Sequence, residues 1–355
     1  MTTTRADRLA EVMERRELDS LLVSNLINVR WLTGFTGTNG AALLTRDRRL
    51  FLTDFRYTEQ AEEQVDASFE RLPAGRDLVG DLAGQLTGRA GFDDGHMSVS
   101  THRKLTEKAA DGVELVAAGG AVEELREVKD PGELERIAAA QELASAALER
   151  VLERGLVGRT ERAVALDLEQ EMRAAGASDP SFRSIIAAGP HGALPHAVPR
   201  DVEIGAGLVV VVDWGAVLDG YCSDCTRTVA TGPVEDDAAE AYELVRRAQQ
   251  TGLDAVRAGA GCRAVDAAAR DVIAAAGMGD SFGHSLGHGV GLEVHEGPTL
   301  SMRSDSDLKA GNVVSVEPGV YLPGRFGIRI EDLVAVTDDG ADVFTRLGKE
   351  LLTVD

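Results

Sequence analysis

The sequence predicts an α+β protein in two domains: an α/β layer over residues 1–125, then an antiparallel sheet covered by helices over residues 126–355. Three observations carry this expectation. At 355 residues the chain is longer than one ordinary compact domain. Helical and strand-like patterns alternate in its first third, whereas strand patterns dominate once two long helices have passed. Between these regions stand Gly119-Gly120, the charged stretch from Glu123 to Lys129, and Asp130-Pro131, where a chain break and a helix start coincide.

Residues 4–17 carry apolar positions at helical spacing, 19–24 read as a strand, and 41–44 with 50–53 read as a hairpin around Arg46-Asp47-Arg48. Helical patterns at 76–86 and 99–109 alternate with short apolar runs at 89–92 and 113–117. From Pro131 a helix with alanine and leucine on one face runs to about residue 154, and a second, capped by Thr160, runs to about residue 175. Residues 184–188, 208–214, 221–230, 313–317, 327–336 and 343–345 have strand composition, with helices at 236–257 and 263–276 among them.

Composition narrows the function. With 59 acidic against 37 basic residues and a net charge of -22, the chain repels a phosphate backbone, so nucleic acid is a poor partner. Most of that acid is a solvated surface. The N-terminus carries charges where a signal peptide needs an apolar stretch, and no apolar run approaches the ~20 residues of a membrane span. Three cysteines make no disulfide framework, and a cytoplasmic location is expected. Cys222 and Cys225 resemble a redox or zinc pair, but an offset of three on a strand sends their sulfurs to opposite faces, which makes them packing residues.

A few acids interrupt apolar strand patterns, where a charge is costly unless paired or metal-bound. Asp213 follows Val209-Val210-Val211-Val212 directly. Asp224 lies across the next turn: with residues 218 and 219 as the loop it faces Asp213 directly, and with Asp219-Gly220 it is diagonal by two. Either register puts both carboxylates on one face, roughly 5–8 Å apart, where a cation relieves their repulsion. His288, flanked by glycines that would let the backbone approach an ion, Glu317 before Pro318, and Glu331 in Arg-Ile-Glu-Asp complete a set of four carboxylates and one imidazole. Hard oxygen ligands suit Mn²⁺ or a similar divalent ion, and the charge suits two ions rather than one.

Order and context sharpen the set. Asp213 in Val-Asp-Trp-Gly-Ala, Asp224 in Tyr-Cys-Ser-Asp-Cys-Thr-Arg-Thr, His288 in Gly-His-Gly-Val-Gly-Leu-Glu-Val-His-Glu, Glu317 in Val-Glu-Pro-Gly-Val-Tyr and Glu331 in Gly-Ile-Arg-Ile-Glu-Asp resemble the five ligand motifs of the pita-bread metallopeptidases, in their aminopeptidase P and prolidase branch. The resemblance spans nearly the whole chain, because residues 28–37 and 53–57 are similar to that branch's creatinase-like N-terminal domain. It implies two divalent ions per subunit, Mn before Co or Zn, and a peptide substrate with proline at its second position. It also implies a homodimer, with His196, His284, His295 and Arg329 as non-ligand active-site groups. The leading expectation is an Xaa-Pro aminopeptidase, and the alternative is an Xaa-Pro dipeptidase. A methionine aminopeptidase normally lacks the first domain, a non-catalytic binding protein would have lost ligands, and creatinase lacks the metal cage.

Chemistry suggests roles beside the resemblance. The ions would activate water and polarise the scissile carbonyl, Glu317 would pass a proton to the leaving nitrogen, and His284 or His295 would bond the oxyanion. His196, His295, Tyr321 and Arg329 are the expected walls of a proline pocket. Trp31 and residues 54–57 either select substrate length across a dimer or pack locally.

Overall fold

The computed structural model describes residues 4–73, 75 and 77–355; Met1 to Thr3 of the expected capped N-terminus, and residue 76 at the head of the 76–86 pattern, lie outside them. The chain forms two compact units, residues 1–126 and 127–355.

The first unit runs α1 (Arg5–Arg15), β1 (Ser20–Val23), α2 (Leu26–Thr33), β2 (Gly40–Thr45), β3 (Arg49–Thr53), α3 (Thr58–Gln64), β4 (Glu70–Pro73), α4 (Leu78–Ala83), β5 (Arg89–Phe92), α5 (Val99–Lys108), β6 (Glu114–Ala117) and α6 (Glu123–Arg126). Its strands make one six-stranded sheet in the order β4-β3-β2-β1-β5-β6. The expected 41–53 hairpin is the antiparallel β2–β3 pair, and β1–β2, joined through α2, is antiparallel as well, while β1–β5, β5–β6 and β3–β4 are parallel. A reciprocal cap between Thr4 and Asp7 starts α1. Trp31 is buried in this unit with Arg5 stacked 4.9 Å over its ring, so it packs locally.

The second unit runs α7 (Pro131–Leu152), α8 (Glu161–Ala174), β7 (Asp179–Pro180), β8 (Ile185–Ala188), β9 (Val209–Trp214), β10 (Ala216–Leu218), β11 (Tyr221–Cys222), β12 (Cys225–Ala230), α9 (Asp236–Ala255), α10 (Cys262–Ala275), β13 (Gly287–Gly289), β14 (Glu296–Leu300), β15 (Val313–Val316), β16 (Gly319–Leu322), β17 (Phe326–Arg329), β18 (Asp332–Val336) and β19 (Ala341–Val343). All its strand pairs are antiparallel, as expected, but they divide into sheets β11-β10-β7, β12-β9-β8, β14-β13-β15-β18-β19 and β16-β17. Asp130 caps α7 with Pro131 at the first helical position, and Thr160 caps α8. Trp214 anchors β9 to α7 by donating its indole N–H to Ala144 O at 2.8 Å.

Two strands expected to be continuous are broken. Residues 221–230 interrupt at Ser223-Asp224, and residues 327–336 interrupt at Ile330-Glu331. The glycine-rich segment around His288 is a strand rather than a loop. An added Cβ would stand 1.9 Å from Ser315 O at Gly287 and 2.1 Å from Gly297 O at Gly289, so these glycines allow strands to approach, not an ion. No helix among the described residues is long and apolar enough to cross a membrane.

Candidate metal centre

The hairpin after Val209-Val210-Val211-Val212 turns at Asp219 and Gly220, both with positive φ (48° and 80°). One register holds through it: Leu218 faces Tyr221, Val217 faces Cys222, Trp214 faces Cys225 and Asp213 faces Thr226. Asp224, two residues before Thr226, therefore shares the face of Asp213 diagonally. Glu331 reaches the same point from the link between β17 and β18, its N–H donating to Thr226 O at 3.1 Å. Oxygens of Asp213, Asp224 and Glu331 lie within 4.8 Å of one another, and all three residues are buried.

His288 and Glu317 extend the group. His288 Nε2 is 3.2 Å from Glu317 Oε1 and 3.5 Å from Asp224 Oδ2. His288 Nδ1 donates to Gly289 O at 3.1 Å, which fixes the ring and leaves Nε2 facing the acids. The structure thus brings all five expected ligands together.

The donor set fits divalent cations. Asp213 Oδ1 and Glu331 Oε1 are buried without a hydrogen-bond partner among the described residues, a costly arrangement for oxygens that nothing binds. Burial, and then the charges of neighbouring acids, push the Asp224 and Glu331 carboxyls well above the usual carboxylate range. Burial also raises Asp213, with Arg329 opposing it. Glu317 behaves differently: burial alone would raise it, but His288, His284 and Arg329 bring its carboxyl down to about 2. For His288, burial works against the proton and the Glu317 contact outweighs it, so its imidazole titrates above its usual range.

A second layer orients these groups. Arg329, a buried guanidinium at the end of β17, binds Asp213 Oδ2 through Nη2, Thr226 Oγ1 through Nε (3.0 Å) and the Tyr321 hydroxyl through Nη1 (2.6 Å). Thr226 donates its hydroxyl hydrogen bond to Glu331 Oε2 at 2.8 Å, and Ser315 donates to Glu317 Oε1 at 3.2 Å. Arg227 fixes the neighbouring backbone by donating to Glu331 O and to Asp332 Oδ1 (2.8 Å). Sequence reading missed Thr226 and Ser315, although each sits two residues from a ligand and so shares its strand face.

The remaining expected residues separate into two groups. His196 and His295 line a cleft of about 710 Å³ above the carboxylates, as do His284 and Arg329. Tyr321, expected as a pocket wall, is buried behind that lining, because its hydroxyl is taken up by Arg329 and by His284 Nε2 at 3.0 Å. His284 Nδ1 donates to Ser285 O at 2.8 Å, and burial keeps the ring neutral. Both nitrogens are thus engaged, with Nε2 accepting from Tyr321, so of the two histidines expected to bond an oxyanion, His295 keeps the free donor among the described residues. His295 packs against His288 with ring centroids 4.3 Å apart and planes tilted by 59°; burial and that neighbour both lower its pKa. His196 rides on a loop clamped by buried Glu161, which accepts from Ala188 N, His191 Nδ1, and Arg200 N, Nε and Nη2 at 2.9–3.0 Å. Cys222 and Cys225 are buried free thiols, with Cys225 Sγ on Glu331 O.

Comparison with known proteins converges on this site. A model of the creatinase/prolidase N-terminal domain matches residues 5–128, and a model of metallopeptidase family M24 matches residues 135–338. An Xaa-Pro dipeptidase of Pyrococcus furiosus is 34% identical over 350 residues, covering 98% of this chain and 99% of its own. Among solved structures, an Xaa-Pro dipeptidase from Bacillus anthracis has a TM-score of 0.95 at 38% identity, covering 99% of each chain. An X-Pro aminopeptidase from Thermotoga maritima has a TM-score of 0.88 at 36% identity, covering 96% of this chain and 99% of the other. A cluster of buried acids that calls for divalent cations, inside a sequence matched along both domains, makes this chain a metallo-exopeptidase of family M24, built on the pita-bread fold with a creatinase-type first domain.

Proposed function

We propose that this protein hydrolyses Xaa-Pro dipeptides, with Asp213, Asp224, His288, Glu317 and Glu331 holding two divalent cations, Mn²⁺ in preference to Co²⁺ or Zn²⁺. The observation that carries the reading is the buried trio Asp213, Asp224 and Glu331, whose oxygens lie within 4.8 Å and include two without partners. Four carboxylates exceed what one divalent ion neutralises, and a donor set of carboxylate oxygens with one imidazole favours a hard ion. When bound, such ions supply Lewis acidity toward the scissile carbonyl and toward water.

The chain's own residues supply the rest. Glu317, steadied by Ser315, carries a proton from the attacking water to the prolyl nitrogen, which has no N–H and must gain one to leave. His295 donates to the carbonyl oxygen as it gains negative charge. Arg329 holds Asp213 in place, while Tyr321 and neutral His284 hold Arg329 in turn. His196 and His295 flank the space for the proline ring. The family resemblance adds a homodimer, which light scattering of the purified protein tests.

Dipeptidase names belong to relatives at 34% and 38% identity, which favours that activity over the aminopeptidase expected first. The aminopeptidase reading retains the Thermotoga relative in its favour. Stripping the protein with a chelator, restoring Mn²⁺, Co²⁺ or Zn²⁺ separately, and assaying Ala-Pro, Arg-Pro-Pro and a methionyl peptide decides between them. Mn²⁺-restored cleavage of Ala-Pro above the other two is the expected result. Faster cleavage of Arg-Pro-Pro refutes the dipeptidase, and activity that survives chelation refutes the metal site.

A further inference from the structure

Three cations stand in or beside the cleft, and they differ in what already holds them. Arg329 is buried and committed to Asp213, Thr226 and Tyr321. Lys129 is buried against Glu296, with its Nζ 2.7 Å from Oε1. Arg183, on the segment entering β8, lines the cleft between Phe182 and Ile185 and is exposed. Among the described residues it makes no ion pair or hydrogen bond with the protein.

Five carboxylates line the same cleft: Asp213, Asp224, Glu296, Glu317 and Glu331. Four of them are expected to be spent on cations and Glu296 on Lys129, while the surrounding surface belongs to a chain of net charge -22. Of the two arginines that line the cleft, Arg329 is committed to Asp213, which leaves Arg183 as the guanidinium that a negatively charged substrate group can pair with. Arg183 offers a planar fork of donors that matches a carboxylate, and no protein acid competes for it.

We propose that Arg183 is a specificity-determining residue that binds a substrate carboxylate. Two groups carry that chemistry: the C-terminal carboxylate of an Xaa-Pro dipeptide, and an acidic side chain on the residue before proline. The inference rests on the peptidase reading above and adds to it the residue that ranks one substrate over another. Because the contact is present before and during bond cleavage, it acts mainly on KM.

The test compares full-length, Mn²⁺-loaded wild type with Arg183→Ala and Arg183→Glu on Ala-Pro, Ala-Pro-amide and Asp-Pro-amide. Wild type is expected to prefer one carboxylate-bearing substrate over Ala-Pro-amide by ~10-fold or more in kcat/KM, as a charge-assisted contact supplies. Arg183→Ala is expected to shrink that preference to about twofold through KM, and Arg183→Glu to reverse it. Salt should erode the preference in wild type and leave Arg183→Ala nearly flat. Loss of the Ala-Pro preference identifies the terminal carboxylate, and loss of the Asp-Pro-amide preference identifies the side chain. If both ratios in Arg183→Ala match wild type, the assignment is overturned while the peptidase reading stands. Wild type inactive on all three substrates overturns both.

Discussion

Replacing Asp224 by asparagine should change stability in opposite directions depending on whether cations are bound. With oxygens of Asp213, Asp224 and Glu331 within 4.8 Å, each charged pair repels by about 3.5 kcal/mol at an effective dielectric of ~20. Asp224→Asn removes two of the three pairs. Proton uptake by these raised carboxyls already relieves part of the repulsion, so the expected gain in the chelated protein is about 2 kcal/mol at neutral pH. Cations reverse the order. Metal at a hundred times its Kd adds about 2.7 kcal/mol to wild type, and a variant short of one ligand forfeits most of that. Urea unfolding of both proteins, in chelator and in excess Mn²⁺, measures all four values. A variant less stable than wild type in chelator would refute the claim that these acids repel one another.

The same raised carboxyls should make cation binding release protons, seen as a dependence of calorimetric heat on the buffer's ionisation enthalpy, with affinity rising as pH rises. For the chelated protein, a folded pKa above the unfolded one gives stability that is present at acid pH and lost as pH climbs through the raised values, so its melting temperature should fall as pH rises above the usual carboxylate range and flatten with Mn²⁺. Tyr321→Phe removes the hydroxyl between Arg329 and His284; kcat/KM is expected to fall ~10-fold with metal content unchanged by elemental analysis. Glu161→Ala leaves Arg200 and two further donors, Ala188 N and His191 Nδ1, without their buried acceptor, and should cost about 3 kcal/mol and speed proteolysis within residues 188–200.

Asp213, Glu317 and Glu331 were legible because each ends or interrupts an apolar pattern, His288 because glycines flank it, and Asp224 because the two-residue period of a strand puts it on the face of Asp213 in either register. The breaks beside them were not. Asp224 lies where the chain passes from the β11 sheet to the β12 sheet, Glu317 between β15 and β16, and Glu331 between β17 and β18. Strand-forming residues flank Asp224 and Glu331 on both sides, so composition reads one strand at each where pairing partners change, whereas the strand read over 313–317 ends at Glu317 itself. Tyr321 was misread for a related reason: strand alternation gives a side chain's face but not whether another side chain, here Arg329, stands in front of it. The glycines around His288 carried a real signal with the wrong cause, since Gly287 and Gly289 face the carbonyls of Ser315 and Gly297 on adjoining strands. Glu161 and Arg183 lie far in sequence from the ligand motifs, and only tertiary structure brings Arg183 to the cleft and Glu161 under the loop that carries His196.

The turn at Asp219-Gly220 sits at a partly exposed hairpin tip, several residues from any ligand. Surface reversals of this kind usually accept extra residues freely. Here length has parity: one added residue would rotate Asp224 to the opposite side of its ribbon, and two would restore its side while sliding it along by a rung. The reversal acts as a ruler for the cage, so a piece of chain that touches no ion still sets which oxygens can meet.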